Sequence, residues 1–157
     1  MAYQKLQVSR ALRVFPSDNA DIPFPSATAA GTSTTVVANE LQDSSATFVT
    51  KNVSVGDVVY NTATSTAATV TSVISNTRII LNANIFTVIG NSYIIYAKNQ
   101  VSNGCVLYIG TGGNLRVLTE AGDDVTFVNV LGGTTLPVQL IRVLSTGTTA
   151  SNIVAMW

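Results

Sequence analysis

The stretch CVLYIGTGGNLRVLTEAGDDVTFVNVLGGTTLPVQLIRVL, residues 105–144, decides the fold class of this chain. It holds four short runs rich in β-branched and aromatic residues, and turns at 110–114, 120–124 and 131–134 separate them. Turns that recur roughly every 8–12 residues between such runs are typical of an all-β sandwich or barrel. We therefore predict that this stretch forms strands.

The same pattern continues on both sides of that stretch. Upstream lie the alternating KLQVSRALRV and the runs TTVVA, DVVYN, AATVTSVI, TRIILN and SYIIYA, and downstream lies ASNIVAMW. We predict an all-β fold for the whole chain, an antiparallel β-sandwich or barrel. ANELQDSSA, residues 38–46, is the one stretch in which the composition allows a helical turn or two.

Two segments of small or polar residues interrupt the strand pattern, SATAAGTST at 26–34 and KNQVSNG at 98–104. We interpret the first as a linker, and the residues between the two segments have a strand set of their own. We predict a discontinuous β base domain, residues 1–29 and 99–157, interrupted by a small inserted β-barrel, residues 30–98. Such an insertion requires its two ends to lie close together, as in most compact domains.

The charge balance limits the classes of partner. Eight Lys and Arg residues balance eight Asp and Glu residues, so the net charge is zero and no basic stripe is present to neutralise phosphates. We expect no nucleic-acid partner. Charged residues make up 10% of the chain, against roughly 25% in typical soluble domains. A surface this weakly charged favours a protein that lives inside an assembly.

Neither a signal peptide nor a membrane span is predicted. Lys5, Arg10 and Arg13 are spread through the N-terminal stretch, which has no apolar centre. Residues 79–97 approach transmembrane length, but polar residues such as Asn82 interrupt them, so we predict two short strands around a turn. We expect the chain to be made in a cytoplasm and to leave it only as part of something larger.

The residue inventory argues against an enzyme. The chain has no histidine, which removes Ser-His-Asp triads, Cys-His pairs and His-based zinc sites. Cys105 is alone in an apolar run, so we expect a small buried hydrophobe. GTGG at 110–113 precedes an alternating strand, not the helix that a phosphate loop requires. We predict no catalytic residue and no cofactor.

The acidic residues are expected to shape turns. Asp123 and Asp124 fit the turn of a hairpin, because successive side chains of an extended chain point to opposite faces. Asp18 and Asp21, in PSDNADIP, are candidates for capping backbone N–H groups as Asx-turns. That segment offers too few oxygen ligands for a calcium loop, so we predict no metal site.

Four motifs, in order, resemble the head-spike base family of gene transfer agents and tailed phages: PSDNADIP, LYIGTGGNLRV, GDDVTFVNV and LPVQLIRVLSTGTTASNIVAMW. The residues that match the first and last motifs are Pro16, Ser17, Asp18, Ala20, Asp21, Pro23, Leu136, Pro137, Val138, Arg142, Val143, Thr146 to Ala150, Ile153 to Ala155 and Trp157. In that family the first motif runs almost directly into the LYVG-like strand. Here residues 30–98 intervene, and they resemble a small SH3-like barrel of the kind that decorates phage structural proteins.

The resemblance implies a virion structural protein, a capsid decoration or head-spike base subunit that acts as a symmetric homo-oligomer. It implies assembly in the host cytoplasm, with the major capsid protein or other virion proteins as further partners and no membrane. The candidate structural or interface residues are Asp18, Asp21, Arg142 and Trp157.

Two alternatives stay open at this point. We expect the strand that ends in Trp157 to close a sheet, within its own subunit or across to a neighbour, because Trp suits such contacts. The neutral, Ser/Thr-rich surface also suits a carbohydrate-binding adhesin or tail-associated module. That function would require several aromatic side chains exposed together.

Overall fold

The structure, a computed structural model, describes residues 8–98 and 104–157, and within these ranges it is all-β, as predicted. No helix long and apolar enough to cross a membrane occurs in these ranges. The strands are β1 (Ala11–Arg13), β2 (Ala27–Thr32), β3 (Glu40–Gln42), β4 (Val58–Asn61), β5 (Thr66–Ser75), β6 (Arg78–Leu81), β7 (Ser92–Tyr96), β8 (Cys105–Thr111), β9 (Gly113–Thr119), β10 (Asp124–Val130), β11 (Thr134–Val143) and β12 (Ser151–Met156).

Six strands form what we call the base sheet, which is antiparallel and has the order β1-β12-β8-β11-β9-β10. The predicted hairpin is confirmed: β9 and β10 pair with Asp124 opposite Leu118, and Thr119 N–H donates to the Asp123 carbonyl at 2.9 Å. The core of this sheet consists of Val14, Ile22, Cys105, Leu107, Ile109, Leu115, Val117, Leu140, Val143, Ala150, Ile153 and Ala155.

The strand that precedes Trp157 lies inside the base sheet. β12 pairs with β1 on one side and with β8 on the other, so that Ala155 lies opposite both Leu12 and Leu107. Of the two alternatives for this strand, the structure shows the first: it completes a sheet within its own subunit.

The other six strands form what we call the curled sheet, with the order β2-β7-β4-β5-β6-β3. Two register shifts between β5 and β6 bend the long β5, as bulges do. The two edges of the sheet meet where Thr35 forms a bridge with Gln42, and the result is a curled half-barrel. Its core consists of Ala29, Leu41, Phe48, Val53, Val59, Ala68, Val70, Ile79, Leu81, Ile85, Phe86, Tyr93 and Ile95.

Two local interpretations are wrong. Residues 26–34 are not a linker, because Ala27–Thr32 form β2 and pair with β7. Gly31 has a structural reason within β2: a side chain at this position would collide with the carboxylate of Asp43 and the hydroxyl of Tyr93. Residues 38–46 do not form a helical turn, because Glu40–Gln42 pair with β6 as β3 and bury Leu41 completely. Tertiary pairing overrides the local composition at both places.

The two sheets divide the chain much as an insertion would. The base sheet uses residues 11–13 and 105–156, and the curled sheet uses residues 27–96. Residues 27–29, assigned to the base domain from sequence, lie in the curled sheet. Residues 1–7, with Lys5, and residues 99–103 lie outside the described residues. That the two sheets fold as separate domains stays a prediction.

Candidate functional site: the joint between the sheets and the open strand edge

The PSDNADIP segment runs between the two sheets and binds both, and we call it the joint. On the side of the curled sheet, Ser17 Oγ donates to the Ala67 carbonyl at 2.8 Å. The Asn19 carbonyl accepts from Thr69 Oγ1 at 2.9 Å and from Asn82 Nδ2 at 2.6 Å. These bonds fix the joint to β5 and to the residue that follows β6.

Asp18 holds the joint to the base sheet. Its carboxylate accepts from Thr146 Oγ1 at 2.7 Å, from Thr146 N–H at 3.1 Å and from Ser145 Oγ at 2.8 Å. These bonds, chiefly the one from the Thr146 hydroxyl, lower the pKa of Asp18. The prediction of Asx-turns is wrong: Asp18 caps a backbone N–H, but in the remote turn that follows β11, and Asp21 accepts a hydrogen bond from Arg142. Within the joint, it is Ser17 Oγ that accepts from Asn19 N–H, at 3.1 Å.

Arg142, near the end of β11, reaches back to the same segment. Its Nε donates to Asp21 Oδ1 at 2.7 Å, and its Nη1 donates to the Asp18 carbonyl at 3.1 Å. Three of the four candidate residues therefore lie together, although 121 and 124 positions separate Arg142 from its two partners. The bonds of Arg142, Asp18 and Asp21 fix the position of the joint against the end of β11. Within the described ranges, no three His, Cys, Asp or Glu side chains are grouped so as to hold a metal ion.

The apolar contacts of the joint, and of Phe15 directly before it, were missed by sequence reasoning. Phe15 and Ala20 are buried against Val58, Tyr60 and Ala67 of the curled sheet. The rings of Phe15 and Tyr60 lie 4.6 Å apart, and burial raises the pKa of Tyr60. The one local signal was an aromatic residue directly before Pro16, which does not indicate what the ring will contact.

Trp157, the fourth candidate residue, lies apart from the joint. Its half-buried ring packs edge-on against Phe24, with centroids 5.8 Å apart, next to the base-sheet core. Its backbone N–H donates to the Arg10 carbonyl at 3.0 Å, and its carbonyl accepts from Ser9 N–H at 2.6 Å.

The open edge of the base sheet is a second feature that sequence reasoning missed. β10 is the last strand of the sheet, and its hairpin was predicted but its edge position was not. Val125, Val128 and Leu131 are 38%, 66% and 76% exposed, and Phe127 and Val130 are half-buried. The surface made by these five side chains is what we call the β10 edge.

The one charged residue within β10 is neutralised inside the sheet. Asp124 forms a two-bond ion pair with Arg116 of β9, with distances of 2.9 Å from Nε and 2.7 Å from Nη2. The hydrogen bonds from Arg116 lower the pKa of Asp124, and the hydrogen bond to Asp124 raises the pKa of Arg116. The β10 edge is therefore both apolar and electrically neutral.

A cleft of about 310 Å³ lies beside β2 and is lined by hydroxyl-bearing and small residues, with Lys51 among them. At its floor, the buried Asp43 carboxylate accepts from Tyr93 Oη at 2.7 Å and from Ser45 N–H at 2.8 Å. Since the polar atoms of the floor already bind one another, they offer little to a ligand.

Comparisons of the chain with protein-family models, with curated proteins and with solved structures found no match. The resemblance to head-spike base proteins therefore stays a prediction that depends on the quoted motifs. The joint can hold distant segments of the chain together. The β10 edge can make contact with the surface of another protein.

Proposed function

We propose that this chain is a structural subunit of a phage virion, a capsid decoration or head-spike base protein that assembles as a symmetric homo-oligomer. The observation that supports this most is the uncovered apolar surface of the base sheet. In addition to the β10 edge, Leu136 and Val138 of β11 pack against the core and remain partly open to solvent. Exposed apolar side chains along a strand edge are typical of a contact with another subunit.

The joint also supports an architectural role. It brings together the first and last motifs of the resemblance, because Asp18 and Asp21 bind Arg142 and Thr146. Residues that hold together distant segments of the chain suit an architectural protein. Such a role requires neither a nucleophile nor a general base.

The one cysteine fits the same proposal. Cys105 is 3% exposed, and burial raises the pKa of its thiol to about 12. Because the thiolate is the reactive form, this side chain is inert at neutral pH. We propose that the protein is not an enzyme and that its partners are further copies of itself and the major capsid protein or other virion proteins.

The alternative, a carbohydrate-binding adhesin or tail-associated module, has weaker support. It requires an exposed aromatic platform, and Tyr108, at 38%, is the most exposed aromatic side chain in residues 8–98 and 104–157. The hydroxyl-rich cleft beside β2 is the observation in its favour, but the polar atoms at the floor of that cleft already bind one another.

Electron microscopy of particles tests the proposal. Antibodies against the full chain, with gold-labelled second antibodies, should mark the heads of particles from the phage that encodes it. Sedimentation of the purified chain at micromolar concentration should show one closed oligomer. Label on tails alone would support the adhesin alternative, and particles without the chain, by mass spectrometry and by label, would overturn the virion assignment.

A further inference from the structure

We propose that β10 is the strand through which two copies of this chain associate, edge to edge and antiparallel, so that the base sheet continues across a two-fold axis. The inference rests on the proposed function, because it names the contact by which the homo-oligomer forms. Four features support it: the backbone phase of β10, its apolar side chains, the absence of Lys and Pro from its sequence and the position of the acidic residues at its start.

The backbone phase leaves hydrogen-bonding groups of β10 free to pair outward. In an antiparallel ladder, residue pairs that exchange hydrogen bonds alternate with pairs that do not. The bond from Thr119 N–H to the Asp123 carbonyl, at 2.9 Å, sets the phase of the β9–β10 ladder. It follows that Val125 binds β9 and that the backbone groups of Asp124 and Thr126 point away from it.

The side chains along this edge are those of a strand that is usually covered. Val128 and Leu131, on and beside this sheet edge, are 66% and 76% exposed. A row of unpaired backbone groups with apolar side chains is a template for pairing with another chain.

Most devices that protect natural sheet edges are missing from β10. Its sequence, DVTFVNV, holds no Lys and no Pro, and its one carboxylate is bound to Arg116 at 2.7 Å. A bulge lies between Phe127 and Val130, where Asn129 has a φ of 54°. The bulge limits regular pairing to the first part of the strand, which includes the outward groups of Asp124 and Thr126.

The charge distribution favours a second copy in antiparallel orientation. Asp123 and Asp124 lie at one end of β10, so antiparallel pairing places the two acidic ends far apart, at opposite ends of the contact. Parallel pairing in register would bring Asp123 next to its equivalent, and like charges opposite one another destabilise a strand pair; Asp124 contributes little to this repulsion, because it is paired with Arg116. The chain has zero net charge, so two copies do not repel each other at a distance.

Two substitutions test the pairing in the full chain. Thr126→Pro removes an outward N–H, which an edge strand tolerates when that N–H does not belong to its own ladder. Val128→Lys places a charge on the edge at a position that is 66% exposed, and Val88→Lys is the matched control, 59% exposed in the loop between β6 and β7. Sedimentation velocity over a concentration series, with circular dichroism for folding, should show association weakened at least ~10-fold by both edge variants and unchanged by Val88→Lys.

The outcomes separate this inference from the proposed function. If the wild type associates and both edge variants associate equally well, pairing through β10 is wrong and the homo-oligomer stands. If the wild type is monomeric throughout, the homo-oligomer fails and the pairing fails with it. A further outcome is that the wild type is monomeric and that the Val128→Lys variant, unlike the wild type, is absent from particles. This result would mean that β10 contacts another virion protein, and it would overturn pairing between copies. If the Thr126→Pro variant does not fold, the association of the Val128→Lys variant alone tests pairing through β10.

Discussion

The curled sheet covers its own apolar side chains, whereas in the base sheet the edge at β10 is open among residues 8–98 and 104–157. In the curled sheet the two edges meet at the bridge between Thr35 and Gln42, and Phe48 is fully buried. In the base sheet β10 has a neighbour on one side, and Val128 is 66% exposed. Both sheets consist of similar β-branched strands. The difference shows that closure of a sheet, and not its composition, decides how much apolar surface it presents.

The curled sheet also has exposed aliphatic residues, but their placement differs. Val49, Val55, Val88 and Ile89 are more than half exposed, and all four lie in turns and loops, while Ile74 lies in β5. Single exposed aliphatic residues are common on protein surfaces. The β10 edge, by contrast, combines exposed side chains with outward backbone groups, and this combination distinguishes an interface from an ordinary surface.

The largest effect is expected from opening a cavity in one sheet. Phe48→Ala removes a side chain that is 0% exposed and should lower the free energy of unfolding by about 3–5 kcal/mol. The core that surrounds Phe48 consists of residues between 29 and 95. Calorimetry should therefore show a lower melting temperature for the curled sheet and an unchanged one for the base sheet. Leu115→Ala in the base sheet is the reverse control. A single transition that both substitutions lower equally would contradict separate domains.

A smaller effect is expected at Trp157. Because its ring is half-buried, Trp157→Ala should cost about 2 kcal/mol, less than a fully buried aromatic side chain would. The loss should fall on the base-sheet transition, which contains the Phe24 contact. Urea denaturation measures it, and Tyr108→Ala, at a site that is 38% exposed, is the control with a smaller expected loss. Wild-type stability in Trp157→Ala would make the ring dispensable for the base sheet.

The joint should contribute less to the free energy of unfolding than Trp157 does, and its contribution should depend on pH. Asp18→Asn is expected to cost about 1 kcal/mol at neutral pH, a value reduced for solvent screening. Since folding lowers the pKa of Asp18, its stabilising effect is complete above the unfolded value near 3.8 and is lost as the pH falls through the folded value.

Urea denaturation at pH 7, 5 and 3 checks this dependence. The difference between the wild type and Asp18→Asn should be the same at pH 7 and 5 and should shrink at pH 3. Glu120→Gln, in the exposed turn between β9 and β10, controls for the loss of one negative charge. A difference that grows on acidification would show that the carboxylate does not stabilise the joint.

The smallest effect on stability is expected at Val128, the position at which we expect a large effect on association. Val128→Lys should change the free energy of unfolding by less than about 0.5 kcal/mol, because the side chain is already exposed. Urea denaturation at a concentration at which the chain is monomeric measures this value. A loss of several kcal/mol would mean that Val128 supports the core, and the contrast between an open and a closed sheet would weaken.

Part of the candidate site was accessible from sequence and part was not. Asp18, Asp21 and Arg142 were identified one by one, but their contacts span more than a hundred positions, and no local pattern indicates such a pairing. Trp157 was expected to close a sheet, and the structure shows it beside Phe24.

The sequence by itself determined the all-β class, the β9–β10 hairpin with its turn and the burial of Cys105, because strand propensity, turn chemistry and apolar runs act over a few residues. Only the tertiary structure decided that Ala27–Thr32, within SATAAGTST, form β2, that the joint binds both sheets and that β10 lies at an edge. The order of strands in a sheet follows from contacts between distant segments, whose side chains must fit each other as well as their own strands. A neighbour that is remote in the chain leaves no local trace.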